Sequence, residues 1–291
     1  AGGAALNVTG TNDTITLNGG MTLLGGASGA AGGGGTGLPG TAGAIGDGID
    51  LGGTGTILVN HDIINGQTAM GINITNAGAL ASFTNTGTVT STNVTAGQGT
   101  FVFGANNGSV TLGAGGTIQN TAVNNAAVAL EINSTQTGVI TNAGNIISNG
   151  TGAALGVAVN FDANGSLTNS ATGVITGRIL TTGSNTANIT LASGSTMTGD
   201  ITTGGGNDTL TIAAGTLTGN IDLGGGANSL NIVGNYNGGT IVATGGTINL
   251  AVNSFSLTDN NSAATVVLYS DAGSSAAIDT AIANLGAAGT A

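Results

Sequence analysis

Two stretches, "TGDITTGGGNDTLTI" from Thr198 to Ile212 and "TGNIDLGGGANSLNI" from Thr218 to Ile232, are nearly the same phrase written twice, 20 positions apart. A fixed internal period of this size means that the fold is one small unit stacked on itself, and nothing else in the chain restricts the architecture as strongly. A looser copy, "TGRILTTGSNTANITLAS", begins at Thr176, 22 residues before Thr198. Fragments of the phrase return as "TNDTITL" (Thr11 to Leu17) and "GDGIDLGGTGTILVN" (Gly46 to Asn60). A second phrase, Asn, small residue, Gly, any residue, aliphatic, appears at "NAGAL" (Asn76 to Leu80), "NTGTV" (Asn85 to Val89) and "NAGNI" (Asn142 to Ile146).

Inside each phrase apolar and polar residues alternate, as in Leu210 and Ile212 around Thr211, or Ile15 and Leu17 around Thr16. Such period-two runs, bounded by Gly and Asn, predict short β-strands with one buried face. None is long enough to stand alone. A coil of about 20 to 22 residues carrying two or three such strands describes an all-β, parallel β-solenoid. Each coil must bend where its neighbours bend, so Gly204 to Gly206 and Gly224 to Gly226 are expected to stack at a corner and to supply positive φ angles. Asn is expected to bond along the stack as a side-chain ladder. At about 4.8 Å per coil, some 12 coils would make a rod roughly 55 to 60 Å long.

Composition agrees with a thin interior. Of 291 residues 58 are Gly, 40% are apolar and only 2% aromatic, so the core must be built from Val, Ile, Leu and Ala. Low charge with positive mean hydropathy argues against an expanded disordered chain. The solenoid is expected over residues 1–251, with an exposed glycine-rich loop at 25–40 that holds the sole proline, Pro39. Residues 252–291 read as a C-terminal cap or docking segment, with Ile278, Ile282 and Leu285 at helical spacing.

The charge balance closes several functional classes. Twelve acidic residues face a single Arg178, with no Lys and one histidine, His61. Nucleic acid and anionic lipid need clustered cations and are excluded as partners. Cysteine is absent, which removes disulfides and thiolate metal sites. No apolar run approaches the roughly 20 residues that span a bilayer, so membrane insertion is not expected.

An enzyme needs converging acids and bases, and here the acids read as scattered: Asp13, Asp47, Asp50, Asp62, Glu131, Asp162, Asp200, Asp208 and Asp222. Asp200 and Asp222 fall near the equivalent corner of adjacent coils, where they could approach each other or remain solvated. His61 beside Asp62 is the sole candidate for Ser/His/Asp chemistry. No catalytic or cofactor residues are assigned, and the chain is expected not to be an enzyme.

For metal, Thr203 to Thr211 approaches the calcium-binding nonapeptide Gly-Gly-x-Gly-x-Asp-x-aliphatic-x, with Asp208 at the ligand position, but the neighbouring copy puts Asn228 there. Asp208, Asp200 and Asp222 are therefore weak Ca2+ candidates, and no other cofactor is expected.

Thr84, Thr86, Thr88 and Thr90 alternate as if on one face, like the flat threonine arrays of ice-binding solenoids, although aligned pairs are not expected to recur at one phase through many coils. Phe101 and Phe103 share a side, as core or as a contact surface.

Phrases such as "GVITGRI", "TNAGNI" and "TGGGNDTLTI", over about Asn60 to Leu250, resemble the passenger regions of bacterial autotransporters and related haemagglutinin-type adhesins. That resemblance implies a right-handed solenoid, secreted to the surface of a Gram-negative bacterium, although the family's C-terminal translocator barrel has no counterpart here. The expected function is a self-assembling extracellular fibre or surface-layer subunit whose partner is itself, or other cell-surface components. The alternative is an adhesin passenger that binds host or abiotic surfaces through loops, with 25–40 and the segment around Phe101 and Phe103 as candidates.

Overall fold

The computed structural model describes residues 3–26, 46–150 and 156–233, with four further strands at Thr240–Ala243, Thr247–Ala251, Ser256–Asp259 and Thr265–Leu268. No helix occurs among the described residues. The 25–40 loop beyond Gly26 and the helical spacing at Ile278, Ile282 and Leu285 lie outside them.

Strands fall into three parallel sheets of 11, 11 and 8 members. S1 begins at Leu6–Val8, S2 at Thr14–Leu17 and S3 at Thr22–Leu24. S1 and S2 take a strand from each of 11 coils in chain order, and S3 from the first eight. The chain visits S1, S2 and S3 in turn and then rises one rung, which is a parallel β-solenoid. Residues that alternate in sequence separate to the two faces, and the inward ones form continuous columns. One such column in S1 runs Leu6, Ile49, Ile72, Phe101, Leu130, Val159, Ile179, Ile201, Ile221 and Ile241. Ten steps of about 4.8 Å make an 11-strand sheet about 48 Å long.

Between Val159 and Ile241 the column repeats every 20 to 22 residues, as the phrases require. Between Ile72 and Val159 each step is 29 residues. The extra residues lie in corner connections such as 92–100 and 121–127, which interrupt the phrase without disturbing the register of the strands they join. The two strands Ser256–Asp259 and Thr265–Leu268 extend S1 and S2 past residue 251.

The core is mostly Ile, Leu and Val, but its middle is aromatic. Phe83, Phe101, Phe103 and Phe161 are fully buried, with ring centroids 5.4 Å apart for Phe83 and Phe101 and 5.0 Å for Phe101 and Phe103. Phe101 and Phe103 are therefore core and offer no contact surface.

Corners carry the polar stacking. At the S2-to-S3 corner one column reads Asn60, Asn85, Leu112, Asn142, Asn169, Leu191. The Asn60 side-chain amide donates to Asn85 Oδ1 at 2.8 Å, and that of Asn142 to Asn169 Oδ1 at 2.8 Å. All four are buried, so each amide satisfies groups that water cannot reach. The expected ladder exists, in two pairs divided by Leu112.

The glycine triplets do stack at one corner, though not for one reason. Gly224 and Gly226 have φ of +58° and +89°, whereas none of Gly204, Gly205 and Gly206 has a positive φ. At Gly206 the constraint is space, since a Cβ there would lie 2.0 Å from the Asn185 carbonyl oxygen of the coil below. Neighbours in one triplet should accordingly respond differently. A Cβ on Gly226 would meet the Gly206 oxygen at 1.9 Å, while one on Gly225 would sit 3.6 Å from the nearest atom. Gly226→Ala should destabilise by more than about 1 kcal/mol and Gly225→Ala by less than about 0.5 kcal/mol in chemical denaturation.

Candidate functional site

The Ca2+ candidates do not come together. Ile201 pairs with Ile221 and Thr202 with Asp222, so Asp200 stacks on Asn220, two register positions away from Asp222. Asp200 Oδ1 accepts from the Asn220 backbone N–H at 2.7 Å and from its side-chain amide at 3.1 Å. Of the two alternatives left open for Asp200 and Asp222, the register removes the direct approach. Asp222 caps its own turn, accepting from the Gly224 N–H at 3.0 Å. Asp208 is buried at the S1-to-S2 corner, where Oδ1 accepts from the Ala187 N–H at 2.7 Å and its own N–H donates to Asn228 Oδ1 at 2.8 Å. Asp208 and Asn228 thus hold one rung position in successive coils. Among the described residues no group of three or more His, Cys, Asp or Glu is placed to hold a metal ion.

His61 is exposed and its Nδ1 lies 2.6 Å from Thr86 Oγ1, while Asp62 Oδ1 accepts from the Gly20 N–H at 2.9 Å. Each is engaged with a different neighbour, and no Ser/His/Asp triad is assembled.

The acids that do converge lie on the outer face of S1, where one column reads Asn7, Asp50, Asn73, Val102, Glu131, Asn160. At its lower end Asp47 faces Asp50. The Asn73 amide donates to Asp47 Oδ2 at 3.3 Å and to Asp50 Oδ1 at 3.1 Å, and the Met70 N–H donates to Asp47 Oδ1 at 2.9 Å. Burial, together with the neighbouring Asp50, pushes the Asp47 carboxyl up to about 6.

Higher up, Glu131, the chain's sole glutamate, is fully buried although it points outward. Segment 97–99 folds over it: a Cβ on Gly99 would lie 3.0 Å from Glu131 Cβ, and the Asn133 amide donates to the Gly97 carbonyl at 2.8 Å. Glu131 Oε1 accepts from Asn160 Nδ2 at 2.8 Å, and the carboxyl also meets Asp162. Burial, reinforced by the charge of Asp162, pushes Glu131 up to about 8 against the opposing bond from Asn160. At neutral pH it is a neutral acid beside a carboxylate. Two pairs of acids thus converge while the others stay apart, and sequence spacing missed the second pair for a plain reason. Glu131 and Asp162 are brought together by a 29-residue coil whose length no phrase announces.

The outer face of S2 carries hydroxyls in register. Thr84, Thr111, Thr141, Thr168, Thr190 and Thr211 occupy one position in consecutive coils, and the column two residues before it runs Ser166, Asn188, Thr209 and Ser229. A single threonine column therefore recurs at one phase, while aligned threonine pairs do not, because the column beside it carries Ser109, Val139, Ser166 and Asn188 before Thr209. Thr84, Thr86, Thr88 and Thr90 do not share a face, because the chain turns between Leu80–Asn85 and Thr88–Ser91.

Comparison with protein-family models, curated proteins and solved structures finds no match for the chain. The repeat style that resembles autotransporter passengers therefore stands without a relative, and the parallel solenoid rests on its own strand pairing. Among the described residues no helix is long and apolar enough to cross a membrane.

The two raised carboxyls make a signed pH prediction. A group whose carboxyl is raised by folding binds its proton more tightly in the folded state, so stability is full at low pH and declines as pH climbs towards the folded value. Asp47 acts between about 4 and 6, and Glu131 between about 4.5 and 8. Denaturant midpoints should fall as pH rises through this range, and Glu131→Gln should remove the decline above about 6 while leaving that due to Asp47.

Proposed function

We propose that the chain is an extracellular structural protein, a β-solenoid subunit that stacks head to tail into a fibre or surface layer. One observation carries this reading: every strand of S1 and S2 stacks parallel and in register on the strand of the coil before it, so the face of a coil is a template for another. In the coil of Leu6–Val8, Thr14–Leu17 and Thr22–Leu24, Leu6, Ile15 and Leu23 are only partly buried, and beside them Met21 and Leu24 are 45% and 52% exposed.

Unpaired strand edges over an apolar end are a template for another coil. Strands at the far end of S1 and S2 run in the same direction, so a second copy stacked there continues those two ladders without a change of polarity. A head-to-tail contact of this kind does not close on itself and grows a filament. The bacterial cell-surface setting comes from the resemblance of repeat style, and scarcity of Lys and Arg suits a fibre exposed to trypsin-like proteases. Purified chain should form linear polymers under negative-stain microscopy. Ile15→Lys with Leu23→Lys should raise the concentration needed for assembly at least about tenfold, a change of about 1.4 kcal/mol per subunit contact, with the circular dichroism of the fold unchanged. A wild-type protein that stays as single rods in sedimentation velocity overturns the reading.

The hydroxyl columns of S2 favour a second reading, binding of ice. Side chains repeat at about 4.8 Å between coils and about 6.6 Å between alternate residues, close to oxygen spacings in the ice lattice. No charged residue interrupts Thr84, Thr111, Thr141, Thr168, Thr190 and Thr211. Thermal hysteresis that disappears in Thr168→Lys is the expected outcome, and freezing without hysteresis removes this reading while leaving the fibre intact.

A further inference from the structure

We propose that Glu131, Asn160 and Asp162 form a binding site for one hard divalent cation, Ca2+, on the outer face of S1. The argument begins with acceptors that lack donors. Glu131 is 0% exposed, and its Oε2 has no hydrogen-bond partner. One rung above, Asn160 spends its amide N–H on Glu131 Oε1, and its own Oδ1 is likewise buried without a partner. Asp162, two residues along the same outer face and in contact with the Glu131 carboxyl, presents a carboxylate whose Oδ1 takes the Thr182 hydroxyl at 2.7 Å. Two buried acceptors without donors and an exposed carboxyl beside one of them, from two adjacent coils, therefore share the outer face of S1. A buried polar oxygen left unpaired is destabilising, the more so when it is charged.

The chain has little of its own to fill that need. It contains no Lys, and its single arginine, Arg178, donates to the Asn125 carbonyl at 3.2 Å. Either a proton or a cation from solution must sit between Glu131 and Asp162. Carboxylate and carboxamide oxygens select hard ions over zinc or copper, which favour imidazole and thiolate. Ca2+ fits better than Mg2+ because it accepts irregular oxygen sets and does not demand strict octahedral geometry.

The sister cluster shows why the site is placed here and not lower on the column. Around Asp47 and Asp50 the Met70 N–H and the Asn73 amide already donate to Asp47 Oδ1, Asp47 Oδ2 and Asp50 Oδ1. Asp208 has one unpartnered oxygen too, but its other oxygen already takes the Ala187 N–H.

The test uses the 291-residue protein stripped with EDTA and titrated with CaCl2 by calorimetry, with melting followed in parallel against NaCl of matched ionic strength. We expect one site, with Kd between about 10 µM and 1 mM, and a melting temperature raised by several degrees. Glu131→Gln should abolish both the heat and the shift, and Asp162→Asn, at the exposed rim, should weaken binding at least about tenfold even if Glu131→Gln folds poorly. Asp208→Asn should leave both signals intact. Absence of a shift beyond the NaCl control, or a Ca2+ response unchanged in Glu131→Gln and Asp162→Asn, overturns the site.

Discussion

Parallel pairing between one coil and the next is the constraint on which the whole molecule depends. It fixes a rise of about 4.8 Å and places residues of equal rank in each coil directly above one another. Every property of the rod is therefore a property of a column. Inward columns of Ile, Leu, Val and Phe bury a continuous core that no single coil could supply. Corner columns set how the backbone bends, and outward columns set the chemistry of each face. A substitution acts on its two column neighbours before it acts on anything near it in sequence.

The corners show how differently one residue type can serve. In the upper triplet, Gly224 and Gly226 adopt backbone angles that side chains disfavour, while in the lower one Gly206 is held by the carbonyl of Asn185 beneath it. Gly177, Gly199 and Gly219 form a third stack where S3 passes to S1, and a Cβ on Gly219 would approach the Gly199 oxygen to 2.1 Å. Close packing of backbone on backbone thus accounts for the best-kept letters of the repeat at least as much as turn geometry does. Wider coils relax the rule. Between Ile72 and Val159 corner loops such as 92–100 and 121–127 absorb length outside the ladder, and one of them reaches over S1 and buries Glu131.

Most of the fold was legible in the sequence because alternation and repetition are local signals. The strands, their stacking and the glycine corner could all be read from "TGDITTGGGNDTLTI" and its copy. What could not be read was phase between distant coils. The register that aligns Thr84 with Thr111 and Thr141 depends on the lengths of intervening corners, and those lengths vary without any matching phrase. The same ignorance of phase left open whether Asp200 could approach Asp222, when it in fact meets Asn220, and hid the meeting of Glu131 with Asp162. The burial of Glu131 was out of reach for a second reason: a lone polar residue between Leu130 and Ile132 has the pattern of an ordinary solvated strand position.

A stacked architecture has an electrostatic problem that a globule lacks, because a charge repeated in a column is repeated at about 4.8 Å. Two such like charges repel by about 3.5 kcal/mol at an effective dielectric near 20, and this chain has almost no cations to dilute the effect. Four of its acids are instead followed in the column by amides, although Asp222 is followed by Val242. Asp50 is succeeded by Asn73, Glu131 by Asn160, Asp200 by Asn220 and Asp208 by Asn228. An Asn above an Asp has the same shape and occupies the same rung, yet it offers N–H donors where a second carboxylate would offer repulsion. This explains why a protein with 12 acids and one arginine can stack them at all. It also explains why the second carboxyl of each pair, Asp47 or Asp162, is a neighbour off the column: the column itself never places one charge on another. Where an off-column acid nevertheless comes close, as Asp162 does to Glu131, the column amide is already committed to Glu131 Oε1, and burial with the neighbouring charge favours the neutral form of the Glu131 carboxyl.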